Sequence, residues 1–198
     1  YNSTSNVVKA QSFNSGTWAT SGNLNTARYF MGGAGTQAAA LGFGGSETPD
    51  AAVTELYNGS NWTEVNNLNT GRYWPGSCGT STAALGFGGG APTRSADTET
   101  WNGTNWTEVN NLTTARNFIS GLGTQTLGLA FGGEPNDTAT EEWDGTNWAD
   151  GGDLNTGRQG LGTAGIQTAG LGFGGGDPGG NKFAQNESYN GTAWTEVA

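Results

Sequence analysis

Carboxylates and arginines recur along the chain at regular spacing, and they are the side chains best suited to chemistry. One acidic residue stands seven positions before each of four tryptophans, and a second acidic residue stands two positions after the same tryptophan. Paired carboxylates can act as acid and base in glycosidases, but a catalytic pair is needed only once. The first set is Glu55, Glu99, Glu141 and Glu187, and the second is Glu64, Glu108, Asp150 and Glu196.

An arginine accompanies each of these carboxylate pairs. Because the whole arrangement recurs in every copy, we predict that it forms an ion pair or a hydrogen bond that builds the unit. The recurring tryptophans could stack on sugar rings, but we expect them to pack between units, where burial of each stabilises by about 1.5–3 kcal/mol. The arginines are Arg28, Arg72, Arg116 and Arg158, and the tryptophans are Trp18, Trp62, Trp106, Trp148 and Trp194.

The composition excludes several kinds of chemistry. The chain has no histidine and a single cysteine, Cys78, which excludes Ser–His–Asp and Cys–His catalysis, an internal disulfide and a cysteine-cluster zinc site. Seven basic and seventeen acidic residues give a formal net charge of −10, which disfavours binding to nucleic acid or anionic membranes. No apolar run reaches the about 18 residues of a membrane span. We predict no catalytic residues, no metal and no cofactor.

The tryptophan spacing predicts the architecture that must position these side chains. Consecutive tryptophans lie 44, 44, 42 and 46 residues apart, and a period of this length indicates a repeat fold. The apolar runs within each period are short and lack helical periodicity, so they predict strands. An Asn-Gly pair before most of the tryptophans is a strong hairpin signal. Each period therefore predicts four short strands, the content of a β-propeller blade.

The order of these features resembles the kelch repeat of galactose-oxidase-like propellers. An arginine is followed by an apolar strand with a double glycine, then by an aromatic residue and a tryptophan. The resemblance covers the whole chain and implies that the double glycine ends the second strand, the aromatic residue lies on the third and the tryptophan opens the fourth. The double glycines are Gly44–Gly45, Gly88–Gly89, Gly132–Gly133 and Gly174–Gly175, and the third-strand aromatics are Phe13, Tyr57, Trp101, Trp143 and Tyr189. The copper centre of galactose oxidase does not carry over, because the chain has no histidine.

We predict one all-β domain over residues 1–198, a kelch-like β-propeller or a segment of one. Its predicted parts are a half blade at 1–27 and four complete blades at 28–71, 72–115, 116–157 and 158–198. Residues 1–20 match only the third and fourth strands of a blade. We therefore expect a larger ring, completed by the remainder of a longer chain or by another subunit.

Positions that differ between the copies are the better candidates for ligand binding. Tyr29, Tyr73 and Trp74 follow the repeated arginine, on the strand expected to line the central channel, although such aromatics can also fill the core. Arg94, Lys182 and Phe183 lie in the unequal loops after the double glycines, where an ordinary solvated loop is the alternative. The predicted candidate ligand-binding residues are thus Tyr29, Tyr73, Trp74, Arg94, Lys182 and Phe183.

The Gly-, Thr- and Asn-rich repeats are also similar to kelch-like repeats of structural or fibre proteins of marine bacteriophages. This similarity implies an extracellular or virion location, with other virion or structural subunits as partners. Our leading hypothesis is a non-enzymatic binding or scaffold module, a phage tail or fibre component that recognises a host-surface glycan or protein. The alternative is a purely structural virion or filament subunit without a ligand, and a glycan-active enzyme ranks third.

Overall fold

The computed structural model describes residues 20–46, 52–90, 93–135 and 137–197. Within these ranges the chain forms sixteen β-strands and no helix, so the predicted all-β class is confirmed. No helix that could span a membrane occurs in the described part of the chain. Most of the predicted half blade, including Phe13 and Trp18, lies outside the described residues.

The strands form four antiparallel sheets of four strands each, arranged as repeated blades. Blade 1 has β1 (Gly32–Thr36), β2 (Ala39–Phe43), β3 (Thr54–Tyr57) and β4 (Trp62–Val65). Blade 2 has β5 (Gly76–Thr80), β6 (Ala83–Phe87), β7 (Thr98–Trp101) and β8 (Trp106–Val109). Blade 3 has β9 (Ser120–Gly123), β10 (Gly128–Phe131), β11 (Thr140–Trp143) and β12 (Trp148–Asp150). Blade 4 has β13 (Gly162–Ile166), β14 (Ala169–Phe173), β15 (Asn186–Tyr189) and β16 (Trp194–Val197).

Two turn signals explain where the strands of blade 1 end. At the Asn58–Gly59 turn, the Asn58 side chain accepts hydrogen bonds from the backbone N–H groups of Ser60 and Asn61, and Gly59 has a φ of 92°. After β2, Gly44 has a φ of 64°, and a Cβ there would lie 2.5 Å from the carbonyl oxygen of Arg72. Glycine is therefore needed after β2 so that the backbone can reach the start of the next blade.

The core lies between the blades, where the face of one blade packs on the next. Phe43 of blade 1 contacts Trp106 of blade 2 with 4.7 Å between the ring centroids. The Trp106 indole N–H also donates to the hydroxyl of Thr54, at 3.0 Å. Equivalent ring pairs join the later blades, Phe87 with Trp148 and Phe131 with Trp194. Repeated aromatic packing between blades therefore replaces a single central core.

The innermost strands β1, β5, β9 and β13 surround a central cavity of about 240 Å³. Its wall consists mostly of glycines and small side chains, with Leu122 as the one large side chain, so the blades can approach the axis closely. This arrangement places the residues just before each inner strand near one end of the central cavity.

Candidate functional site

The repeated arginines form one buried ion pair per blade with the first set of carboxylates. The distances between guanidinium nitrogen and carboxylate oxygen are 2.9, 2.6, 2.7 and 2.7 Å, and no partner is more than 2% exposed. The pairs are Arg28–Glu55, Arg72–Glu99, Arg116–Glu141 and Arg158–Glu187.

The blade 2 pair shows how fully these groups are used. Glu99 accepts two further hydrogen bonds from the backbone and side chain of Asn69, while Arg72 also donates to the carbonyl oxygen of Asp97. Because each charge is paired and hydrogen-bonded away from water, this arrangement holds the connecting segment onto the blade. It leaves the pair no direct access to a substrate.

The second set of carboxylates takes no part in these ion pairs. Glu64 lies directly opposite Glu55 on the neighbouring strand, and it is exposed. Glu108, Asp150 and Glu196 occupy the equivalent exposed positions. The arginines therefore select the carboxylate on the third strand of each blade.

The predicted loop residues do not come together in one site. Arg94 is 45% exposed and forms an ion pair with Glu134 of the next blade at 2.8 Å. Lys182 is exposed on the loop of blade 4, and the backbone N–H of Phe183 donates to the carbonyl oxygen of Gly175. A shallow cavity of about 290 Å³ includes Arg94 but neither of the other two.

The predicted residue Trp74 lies between Phe30 and Phe118 in a continuous row of three rings, here called the aromatic row. Trp74 stacks on Phe118 with 3.9 Å between the centroids and lies 4.3 Å from Phe30. Tyr29 and Tyr73 flank the row at 4.6 Å from Phe30 and 5.0 Å from Trp74, respectively. Tyr29 and Phe30 are 59% and 46% exposed, so the row presents apolar surface to solvent.

The row lies just before the inner strands, which begin at Gly32 and Gly76 in blades 1 and 2. The sequence had suggested that Tyr29, Tyr73 and Trp74 lie on these strands, and that placement is wrong. Tyr29 forms an isolated β-bridge with Ser46, and Tyr73 forms one with Gly90. The chain turns sharply after each bridge before the inner strand begins at Gly32 or Gly76. This turn places the aromatic rings at the end of the central cavity.

The turn imposes an unfavourable backbone conformation on three aromatic residues. Phe30, Trp74 and Phe118 have φ values of 59°, 54° and 52°, and no other non-glycine residue in the described ranges has a positive φ. Such a conformation costs on the order of 1–3 kcal/mol per residue and occurs most often at functional sites. The Trp74 backbone N–H donates to the Phe30 carbonyl oxygen at 2.9 Å, which links these turns between blades.

The fourth equivalent position is Gly160, which carries no side chain. Its φ is 62°, and a Cβ added there would meet no atom within 4 Å. Its N–H donates to the carbonyl oxygen of Phe118 at 3.0 Å, as Trp74 does to Phe30. The row therefore ends beside an open space at the fourth position.

This space belongs to a cavity of about 280 Å³, here called the mouth cavity, which is lined by the aromatic row and Gly160. Ser77, Ser120 and Thr163 contribute hydroxyl groups to its wall. Each hydroxyl donates to a backbone carbonyl oxygen of a neighbouring blade. None of the lining residues carries a charge.

Comparison with known proteins adds no assignment. No model of a known protein family and no curated protein matches this chain. The kelch and bacteriophage resemblances therefore remain predictions from the repeat pattern. In the described part of the chain, no group of three or more Asp, Glu, Cys or His side chains is placed to hold a metal ion.

Sequence reasoning selected Tyr29, Tyr73 and Trp74 but not Phe30, Phe118 or Gly160. The available signal was their location, because all of them fall in the short stretch after the arginine that differs between copies. A positive φ at an aromatic residue could not be read from the sequence, since aromatic residues rarely adopt it.

Proposed function

We propose that this chain is a non-enzymatic binding module that recognises a neutral carbohydrate in the mouth cavity. The observation that carries the proposal is the open space at Gly160 beside a row of strained, partly exposed aromatic residues. A sugar ring has an apolar C–H face that packs on an aromatic ring and hydroxyls that stay hydrated. A ring placed beside Phe118 would take the position that the fourth side chain leaves open.

The size and charge of the cavity favour this class of ligand. A volume of about 280 Å³ lies just below the roughly 300–1,000 Å³ typical of small-molecule sites. One terminal sugar ring therefore suits it better than a large ligand. The lining is uncharged and the chain carries a formal net charge of −10, which disfavours acidic sugars.

Exposed aromatic surface is the second support for the proposal. Large exposed apolar groups that lie together commonly mark binding sites, and here backbone strain coincides with them. The proposal of a phage tail or fibre that binds a host-surface glycan rests on the repeat resemblance alone. In that setting the mouth cavity would be the part that contacts the glycan.

A glycan array of neutral and acidic oligosaccharides, probed with the purified chain, tests the proposal. Calorimetric titration with the most strongly retained glycan then compares two variants. We expect Gly160→Phe to weaken binding about tenfold or more, a loss of at least about 1.4 kcal/mol, because the new ring fills the space proposed for the sugar.

Gly180→Phe is the matched control. Gly180 also has a positive φ, at 86°, and no atom within 4 Å of an added Cβ, but it lies in the loop of blade 4. It should therefore carry a backbone cost at least as large as that at Gly160 and leave affinity unchanged. Failure of the chain to retain any neutral glycan, or equal binding by Gly160→Phe and the unmodified chain, would contradict the proposal and favour a scaffold without a ligand.

A further inference from the structure

Three kinds of contact join one blade to the next: two are present at all three interfaces between the four blades, and the third is present where blade 2 meets blade 3 and where blade 3 meets blade 4. The first is the ring pair between a phenylalanine and the following blade's tryptophan, as in Phe131–Trp194. The second is the hydrogen bond from that tryptophan to the residue paired with the phenylalanine, as in Trp194 to Thr140 at 2.9 Å. The third is a glutamine of the following blade, Gln167, that donates to two backbone carbonyl oxygens of the preceding one.

Blade 4 presents the first half of this interface without a partner in the described chain. Phe173 is 40% exposed, whereas Phe43, Phe87 and Phe131 at the same position are fully buried. Its strand partner is Asn186, where the earlier blades have threonine. We call the surface formed by Phe173, Asn186 and the backbone of Gly170 and Tyr189 the trailing face.

Blade 1 presents the complementary half, here called the leading face, formed by Gln37, Gly42 and Trp62. Gln37 occupies the position of Gln125 and Gln167 in the turn between the first two strands, and it is exposed. Among the described residues, the only ring that pairs with Trp62 is Tyr57 of its own blade.

On the leading face, a flexible side chain takes the place of the incoming ring. In blade 2 a Cβ added at Gly86 would lie 2.7 Å from the Phe43 ring of the preceding blade. At the matching Gly42, the Met31 side chain occupies that place, with its methyl 2.8 Å from the added Cβ. Methionine is flexible and repacks at low cost, so Met31 does not block docking.

We propose that the trailing face of blade 4 binds the leading face of a second copy of this chain. Continuity with the interface that already joins the four blades carries the proposal, because the two faces are its separated halves. Trp62 of the second copy would pack its ring at an angle against Phe173, as the equivalent pairs do, and donate to the Asn186 side chain. Its Gln37 would donate to the carbonyl oxygens of Gly170 and Tyr189, which are paired residues on adjacent strands. Gly128 and Trp143, whose carbonyl oxygens accept from Gln167, are paired in the same way.

Such an interface is head-to-tail, so each chain uses two different surfaces. This property permits a test that does not depend on the mouth cavity. Sedimentation velocity of the 198-residue chain over a concentration series should show self-association. Phe173→Asp and Gln37→Glu should each abolish it, since each variant loses one of the two faces. Both residues are exposed, so we expect these variants to stay folded, and thermal melting checks that they do.

Mixing the two variants provides the decisive arm. Phe173→Asp keeps its leading face and Gln37→Glu keeps its trailing face, so an equimolar mixture should form a dimer with one chain of each. Leu127→Asp is the control, because Leu127 is 51% exposed in a turn of blade 3, away from both faces. A chain that stays monomeric at every concentration, or association that persists in both single variants, would overturn the proposal.

Discussion

The blade interfaces and the mouth cavity use aromatic side chains in opposite ways. Phe43, Phe87 and Phe131 repeat one contact and are fully buried. Phe30 is exposed and Trp74 and Phe118 are half-buried. All three have strained backbones, and their row stops where the fourth blade has glycine. The interfaces therefore gain stability from every copy, whereas the mouth cavity retains strain and leaves one position open.

This difference separates the residues that build the molecule from those that are free to recognise something. Buried groups that recur, including the Arg–Glu ion pairs, neutralise one another's charge and are closed off from solvent. Strained residues persist only where the surrounding structure holds them in place, and here backbone hydrogen bonds between blades do so. We therefore expect substitutions in the two regions to affect different measurements.

The largest effect is expected from breaking a buried ion pair. Arg116→Met should lower the free energy of unfolding by about 3–5 kcal/mol, because it leaves the carboxylate of Glu141 buried without its partner. Arg94→Met, which breaks an exposed pair with Glu134, should cost about 0–1 kcal/mol. Urea unfolding of both variants measures the contrast, and similar losses in the two would show that burial does not set the value of the repeated pairs.

A smaller effect is expected when the free energy of unfolding is measured against pH, because Cys78 is buried in a blade interface. Burial raises the pKa of the Cys78 thiol to about 12, whereas an unfolded cysteine ionises near pH 8.5. As the pH rises above the unfolded value, only the unfolded chain releases the proton, so stability falls. The expected loss attributable to this thiol is about 1.4 kcal/mol between pH 7 and about pH 9.5.

Cys78→Ser is the control for this titration, because a serine hydroxyl does not ionise in the range. Urea unfolding at several pH values should show the loss in the unmodified chain and a smaller loss in the variant. The phenol of Tyr189, whose pKa is also raised by burial, affects both chains equally. Parallel pH profiles would mean that water reaches the thiol in the folded interface.

Much of the scaffold could be predicted from the sequence, for reasons that are local. The repeat period predicted four blades, and the Asn-Gly pairs predicted the hairpins. Trp62, Trp106, Trp148 and Trp194 open the fourth strands of their blades as expected. The sequence could not show whether Arg28 pairs with Glu55 or with Glu64. The two carboxylates lie opposite each other on adjacent strands, and both recur at a fixed distance from the tryptophan. Only the packing of the connecting segment decides which one is buried.

The mouth cavity was less predictable because it depends on how four separate turns meet. The sequence placed Tyr29, Tyr73 and Trp74 among the candidates, since they differ between copies. The space beside Phe118 exists only because Gly160 comes to the same level as three aromatic residues from other blades. That juxtaposition is a property of the assembled blades, so no pattern within one repeat could indicate it.

A matched pair of leucine variants tests the separation of scaffold and site most directly. Phe131→Leu alters a repeated interface and Phe118→Leu alters the aromatic row, and each is assayed for urea unfolding and for retention of a neutral glycan from the array. We predict that Phe131→Leu loses about 1–2 kcal/mol of stability and still binds when folded, whereas Phe118→Leu loses binding and little stability. Equal effects of the two substitutions on both measurements would contradict the account.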